Sequence, residues 1–134
     1  MQKPTEINDR AYRFALDVIR LYRALQVQNE YVLSKQLVRA GTSIGASVEE
    51  ATAAQNRKDF TAKMTKASRD AREARYWLRL LMDSRIRDKI DFSEALAKVD
   101  ELVKILVATV KSGQNQLIDS GAGRRAQGAR KKSH

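Results

Sequence analysis

Apolar residues recur along this chain at intervals of three and four, the spacing that keeps one face of an α-helix turned toward a core. Four stretches carry the pattern. The first, about Glu6 to Gln26, places Ile7, Ala11, Phe14, Val18, Leu21 and Leu25 on one stripe. The second, about Glu30 to Gln55, does the same with Leu33, Leu37, Ala40, Ile44, Val48 and Ala51. The third, about Lys58 to Ser84, is the strictest, stepping 4-3-4-3-4-3 through Phe60, Met64, Ala67, Ala71, Ala74, Leu78 and Leu81. The fourth, about Phe92 to Gln116, uses Phe92, Leu96, Val99, Val103, Leu106 and Val110. Nothing alternates apolar and polar over five or more positions, so no strand is predicted. Long amphipathic segments with short connections predict an all-α fold, an antiparallel up-down-up-down four-helix bundle.

Start signals agree with these limits. Asn29 precedes the second segment, and Asn56 precedes the third with Asp59 three residues later. Asp91 followed by Glu94 resembles a capping box with Asp in the Ser/Thr place. After Gln116 the periodicity stops. Residues 119–134 hold no large apolar side chain, and Arg124, Arg125, Arg130, Lys131 and Lys132 face Asp119 alone, a net +4. Charge without anything to bury predicts a disordered basic C-terminal tail. The chain thus divides into a bundle, 1–118, and a basic flexible tail, 119–134.

Gly41 and Gly45 sit four apart inside the second segment, where each costs on the order of 1 kcal/mol relative to alanine. Close approach of another helix backbone is the expected return. A phosphate-binding loop fits poorly, since no strand precedes the glycines and no Gly-Lys-Ser/Thr follows them. The run Leu33-Ser34-Lys35-Gln36-Leu37-Val38-Arg39-Ala40-Gly41-Thr42-Ser43-Ile44-Gly45-Ala46-Ser47-Val48-Glu49-Glu50-Ala51, with Lys58-Asp59-Phe60 and Glu73-Ala74-Arg75-Tyr76-Trp77-Leu78, resembles a family of bacterial four-helix-bundle proteins. That family was first noticed as reading frames in intervening sequences of large-subunit ribosomal RNA genes. The accessory variability proteins of diversity-generating retroelements are similar to it. The resemblance covers about Arg10 to Leu106. It implies a homopentameric barrel and, for the retroelement branch, binding to nucleic acid and to a reverse transcriptase; it implies no catalytic residues. Ser47 departs from the pattern, which usually has asparagine before the acidic pair.

Composition narrows the function classes. The 134 residues include no cysteine, which excludes disulfides and thiolate metal sites, and one histidine, the terminal His134. Lys and Arg number 26 against 16 Asp and Glu, a formal +10 that points first to nucleic acid. The longest mostly apolar run, Ile105 to Val110, is far short of the roughly 20 residues of a membrane span. No secretory signal is visible at the N-terminus, so a cytoplasmic protein is expected. Glu49-Glu50 and Asp100-Glu101 are adjacent pairs whose side chains diverge on a helix, and Ser43, Ser47 and Ser68 have no candidate base. No enzyme, metal or cofactor is expected.

Two surface features remain. Tyr12, Leu16 and Ile19 form a second stripe on the first segment, and Tyr76, Trp77 and Leu80 project off the core face of the third. Extra apolar faces on a soluble domain mark protein contact, so self-association is expected through these six residues. From Arg57 to Arg87 there are ten Lys/Arg and four Asp/Glu. Lys58, Arg69, Arg72 and Arg79 fall in one outward sector with Tyr76 among them, an arrangement suited to phosphate contacts and base stacking. With the tail residues Arg124, Arg125, Arg130, Lys131 and Lys132 they are the candidate nucleic-acid-binding set. The plainer reading is a solvated face partly neutralised by Asp70, Glu73 and Asp83. The function expected is that of a non-catalytic oligomeric accessory protein binding RNA or DNA with weak sequence preference. The alternative is a scaffold whose basic surface binds an acidic protein.

Overall fold

A computed structural model describes residues 4–84 and 89–128, with side chains over 6–84 and 89–118. It contains four helices, α1 (Pro4–Val27), α2 (Val32–Thr52), α3 (Arg57–Ser84) and α4 (Ser93–Gly128). α2 packs on α1 and α3, and α4 packs on α3 and less extensively on α1; among the described residues α1 and α3 do not meet. The helices therefore form a closed ring of four neighbours with α1 and α3 on a diagonal. Cross-helix pairs run in opposite senses, Arg39 with Glu73 and Ser43 with Asp70 across α2–α3, and Arg75 with Asp100 and Thr61 with Gly113 across α3–α4. The neighbours are antiparallel, as the short connections dictate.

The predicted stripes form the core. Phe14, Val18, Leu25, Leu37, Ile44, Met64, Leu78, Val99 and Leu106 are fully buried. On α4 the deepest stripe lies partly between the predicted positions: Ala95, Leu102 and Thr109 are buried, as is Gly113, while Leu96 and Val110 are only half-buried. Ala95, Thr109 and Gly113, small or hydroxylated, hid that stripe from the hydrophobic pattern and left Leu102 isolated on it. The α4 backbone continues to Gly128, past the point where the periodicity stops, but Gly113 is its last buried residue among those described.

The helix ends differ from expectation in two places. Asn29 does not cap α2. It adopts φ 65° as the left-handed residue closing α1, with Asn29 N–H bonded to Gln26 O at 3.0 Å and Glu30 N–H to Leu25 O at 2.9 Å, a Schellman arrangement. The start of α2 is held by Glu30, whose carboxylate accepts from the Leu33 and Ser34 N–H groups at 3.0 and 2.7 Å. At α4, Asp91 accepts from the N–H and hydroxyl of Ser93 rather than from Glu94. The Asn56 cap is as predicted, its Oδ1 accepting from Asp59 N–H at 2.8 Å.

Glu30 gives the fold a pH dependence. Burial pushes its carboxyl up, but hydrogen bonds from the Leu33, Ser34 and Val32 backbone and the Ser34 hydroxyl outweigh this and hold it below the usual glutamate range. A depressed native value means the stabilisation is complete above the unfolded value, about 4.3, and is lost as pH falls through the native one. Urea unfolding at pH 7 and across about pH 5 to 3 should therefore show a slope that Glu30→Gln reduces, since glutamine does not titrate.

The glycines separate. A Cβ on Gly41 would lie 2.9 Å from Cγ2 of Val18, a stiff and fully buried side chain on α1, so this glycine makes room for a side chain rather than for the other helix's backbone. A Cβ on Gly45 would find only ordinary contacts with Ala11 at 3.9 Å. Gly41→Ala is expected to destabilise by about 1–2 kcal/mol net, overpacking exceeding the helix-propensity gain. Gly45→Ala is expected to be neutral or to stabilise by up to about 1 kcal/mol. Thermal melts of the two variants, shifted in opposite senses or one unshifted, check this.

Candidate nucleic-acid interface

The heptad stripe of α3 turns Met64, Ala71 and Leu78 inward, so the residues opposite them face out. Lys58, Arg69, Arg72, Tyr76 and Arg79 are all exposed on that outward sector. The carboxylates expected to neutralise it are mostly committed elsewhere. Asp70 is buried at the α2–α3 seam, accepting from the Ser43 hydroxyl at 2.8 Å and from Lys66 Nζ at 3.0 Å. Glu73 is turned to the same seam, paired with Arg39 of α2 and accepting from the Trp77 indole N–H at 3.0 Å. Asp59 meets Lys63 at 3.9 Å. Asp83 is exposed and takes no ion pair among the described residues. Lys58, Arg69 and Arg79 likewise have no ion pair among the described residues, and Arg72 spends only its Nε, donating to the Ser68 carbonyl at 3.3 Å. What remains is a helix face with unsatisfied guanidinium donors, the geometry that grips phosphate oxygens.

Two cations escaped the sequence reading. Lys104 and Lys111 are exposed on α4, one and three turns beyond Asp100 on the flank where Asp100 meets Arg75 of α3 at 3.7 Å. They extend the basic surface across the α3–α4 seam. The seven-residue spacing from 104 to 111 was the available signal. Arg124 and Arg125 lie on the α4 backbone extension, and Arg130, Lys131 and Lys132 fall outside the described residues.

The six residues expected to mediate self-association are placed in two groups. On α1, Tyr12 is 65% exposed, Leu16 39% and Ile19 half-buried. On α3, Tyr76 is 55% exposed, whereas Leu80 is half-buried and Trp77 packs against the chain's own core. Tyr76 thus stands among the cations of the basic sector. Tyr12 and Leu16 instead line an open cleft between α1 and α4 with Arg13, Asp17, Arg20, Glu94 and Lys98. Its charges balance internally: Arg13 pairs with Asp9, and Arg20 and Lys98 both pair with Asp17. Since α1 and α3 lie on a diagonal, the neutral cleft and the basic sector occupy separate sides of the bundle.

No helix among the described residues is long and apolar enough to cross a membrane. A family model described as 23S rRNA-intervening sequence protein matches residues 3–108. A solved structure from Bacteroides thetaiotaomicron VPI-5482, of a protein with unknown function from the S23 ribosomal protein family, is 36% identical. That match covers 82% of this chain and 99% of the other, with a TM-score of 0.74. No curated protein matches the chain.

Proposed function

Because the chain belongs to the family of 23S rRNA-intervening sequence proteins, we propose that it is a non-catalytic RNA-associated protein of the cytoplasm that acts as a homo-oligomer. The observation that carries the reading is the outward face of α3, where Lys58, Arg69 and Arg79 stand exposed and without an ion pair among the described residues, while the nearby Asp70 and Glu73 are drawn into the seam with α2. Such a face attracts phosphates by counterion release and carries no code for particular bases. Lys104, Lys111 and the basic end of the chain add to it. Five copies at +10 each, the number the family resemblance implies, carry a formal +50.

The apolar stripe of Tyr12 and Leu16 supports self-association on the other side of the molecule. Burying that cleft strands no charge, because its ion pairs are already made. Burying the α3 sector in a subunit contact would instead leave guanidiniums needing new partners, at a heavy desolvation cost. The α1 side therefore suits the partner subunit and the α3 side suits RNA.

Binding of an unstructured RNA, followed across a salt titration, tests the proposal. The expected result is measurable affinity at about 50 mM salt that falls linearly with log salt. An intact assembly that binds neither RNA nor DNA there overturns it and leaves the basic surface to an acidic protein.

A further inference from the structure

Tyr76 is the one large aromatic on the basic sector, and its neighbours hold it in a defined way. It is 55% exposed, one turn after Arg72 and one turn before Arg79. Its ring meets that of Trp77 with centroids 5.1 Å apart and planes at 66°, a T-shaped contact. Trp77 is itself fixed, packed on the core and donating its indole N–H to Glu73 at 3.0 Å. Glu73 is anchored in turn by Arg39 of α2. A relay of three side chains across two helices therefore orients a solvent-exposed ring. An exposed tyrosine in free solution would cost rotamer entropy to order on binding; this one is ordered beforehand.

We propose that Tyr76 is a stacking platform for an unpaired nucleobase, with Trp77, Glu73 and Arg39 as its positioning residues, so that the α3 face selects single-stranded over duplex segments. The inference rests on the RNA reading above and adds the form of nucleic acid recognised. Both faces of a base inside a duplex are already covered by its neighbours, so only an unpaired base can lie on the ring. Arg72 and Arg79 are seven residues apart, about 10 Å along the helix axis, and bracket the ring where the phosphates flanking a stacked nucleotide would run. Stacking of this kind tolerates any base, and the contacts give phosphate affinity with little sequence preference. A protein surface is the competing occupant. It would have to supply carboxylates for Arg69 and Arg79, which this chain's own exposed surface offers poorly at a net +10.

Trp77 is the only tryptophan of the chain, so its fluorescence reports on the site without a label. Titration of the full-length protein with oligouridylate, oligodeoxythymidylate and an RNA duplex of equal length is expected to change Trp77 emission with both single strands and much less with the duplex. The RNA and DNA strands together separate stacking, common to both, from contacts to the 2′-hydroxyl. Affinities of the variants are read by anisotropy of labelled oligonucleotides. Tyr76→Ala is expected to weaken single-strand binding about 5- to 100-fold for one stacked base while changing duplex affinity less than about twofold. Tyr76→Phe restores the preference, since the ring and not the hydroxyl does the stacking. Glu73→Gln keeps the basic face but releases Arg39, and is expected to lower the single-strand preference without altering the salt slope. Equal losses for both strand forms in Tyr76→Ala, or no loss in either, overturn the proposal. A fall in assembly mass in Tyr76→Ala also overturns it and returns the residue to a subunit contact. If the unmodified protein binds no nucleic acid at all, the RNA reading fails beneath it.

Discussion

Exchanging Arg69, Arg72 and Arg79 together for glutamine is expected to reduce affinity for single-stranded RNA by about two to three orders of magnitude at ~50 mM salt. The magnitude follows from counterion release. A single strand gives a log–log salt slope of roughly 0.7 per phosphate neutralised, so losing three contacts flattens the slope by about 2 for each copy engaged. Extrapolated to about 1 M salt, the variant and the unmodified protein converge. All three side chains are exposed and make no ion pair among the described residues, so their loss leaves the helix and its packing intact. Unchanged circular dichroism and an unchanged light-scattering mass are the expected results for the variant. Removing residues 119–134 deletes five cations and one aspartate and is expected to flatten the slope separately. If face and tail act independently, the two losses add in log affinity. Arg13→Gln is the matched control, because that guanidinium is paired with Asp9 at 2.9 Å on the other side of the bundle. An unchanged slope in the triple variant removes α3 from the RNA site.

The bundle was legible because its stripes are long and its connections short. Phe14, Val18, Leu37, Ile44, Leu78 and Leu106 are large, evenly spaced and deeply buried, so periodicity alone oriented their helices. It failed where the core is built from small residues. Ala95, Thr109 and Gly113 are as buried as leucines, and a pattern scored on hydrophobic bulk passes over them. Gly113 is required by its neighbour: a Cβ there would fall 2.5 Å from the Thr61 hydroxyl, a buried oxygen with no hydrogen-bond partner among the described residues. No local signal announces such a pairing, because residues 61 and 113 are brought together only by the packing of α3 on α4.

The candidate site was legible in one respect and hidden in another. The sector angle of Lys58, Arg69, Arg72 and Arg79 follows from the period of α3, and the structure keeps all four exposed. The sequence could not tell whether Asp70 and Glu73 neutralise that face. Both lie within a turn of Arg69 or Arg72, and only the position of α2 decides that they turn toward Ser43 and Arg39. The same neighbour explains Trp77, which looks like an exposed flank residue in a single helix. In the bundle it covers the core and spends its N–H on Glu73. A local backbone closure, not a cross-helix contact, accounts for Asn29, whose place before α2 suggests a cap. Its left-handed conformation closes α1 instead and frees Glu30 to hold the next helix.

Aspartate at both Tyr12 and Leu16 is expected to reduce the assembly to single chains while leaving the helices folded. Neither side chain belongs to the chain's own core, at 65% and 39% exposed, so each has apolar surface left to bury against another copy. Completing that burial contributes about 1–2 kcal/mol per side chain, less than full burial because part is already covered. Losing both weakens each contact by roughly 30- to 1,000-fold. The substituted carboxylates add to this, since they enter a cleft that already holds Asp9, Asp17 and Glu94, whose cationic partners are taken. Burying two further unpaired charges is costlier than the lost apolar contact. The variant also separates avidity from local binding. Its α3 face is untouched, so a single copy keeps its own phosphate contacts, but multivalent attachment to one RNA is lost and overall affinity falls by about 10²-fold or more. The salt slope should drop with it, as fewer phosphates are neutralised per binding event. Light scattering at micromolar concentration reads the mass directly. A single-chain mass for the unmodified protein ends the self-association reading, and with it the expectation that RNA affinity depends on Tyr12 and Leu16 at all.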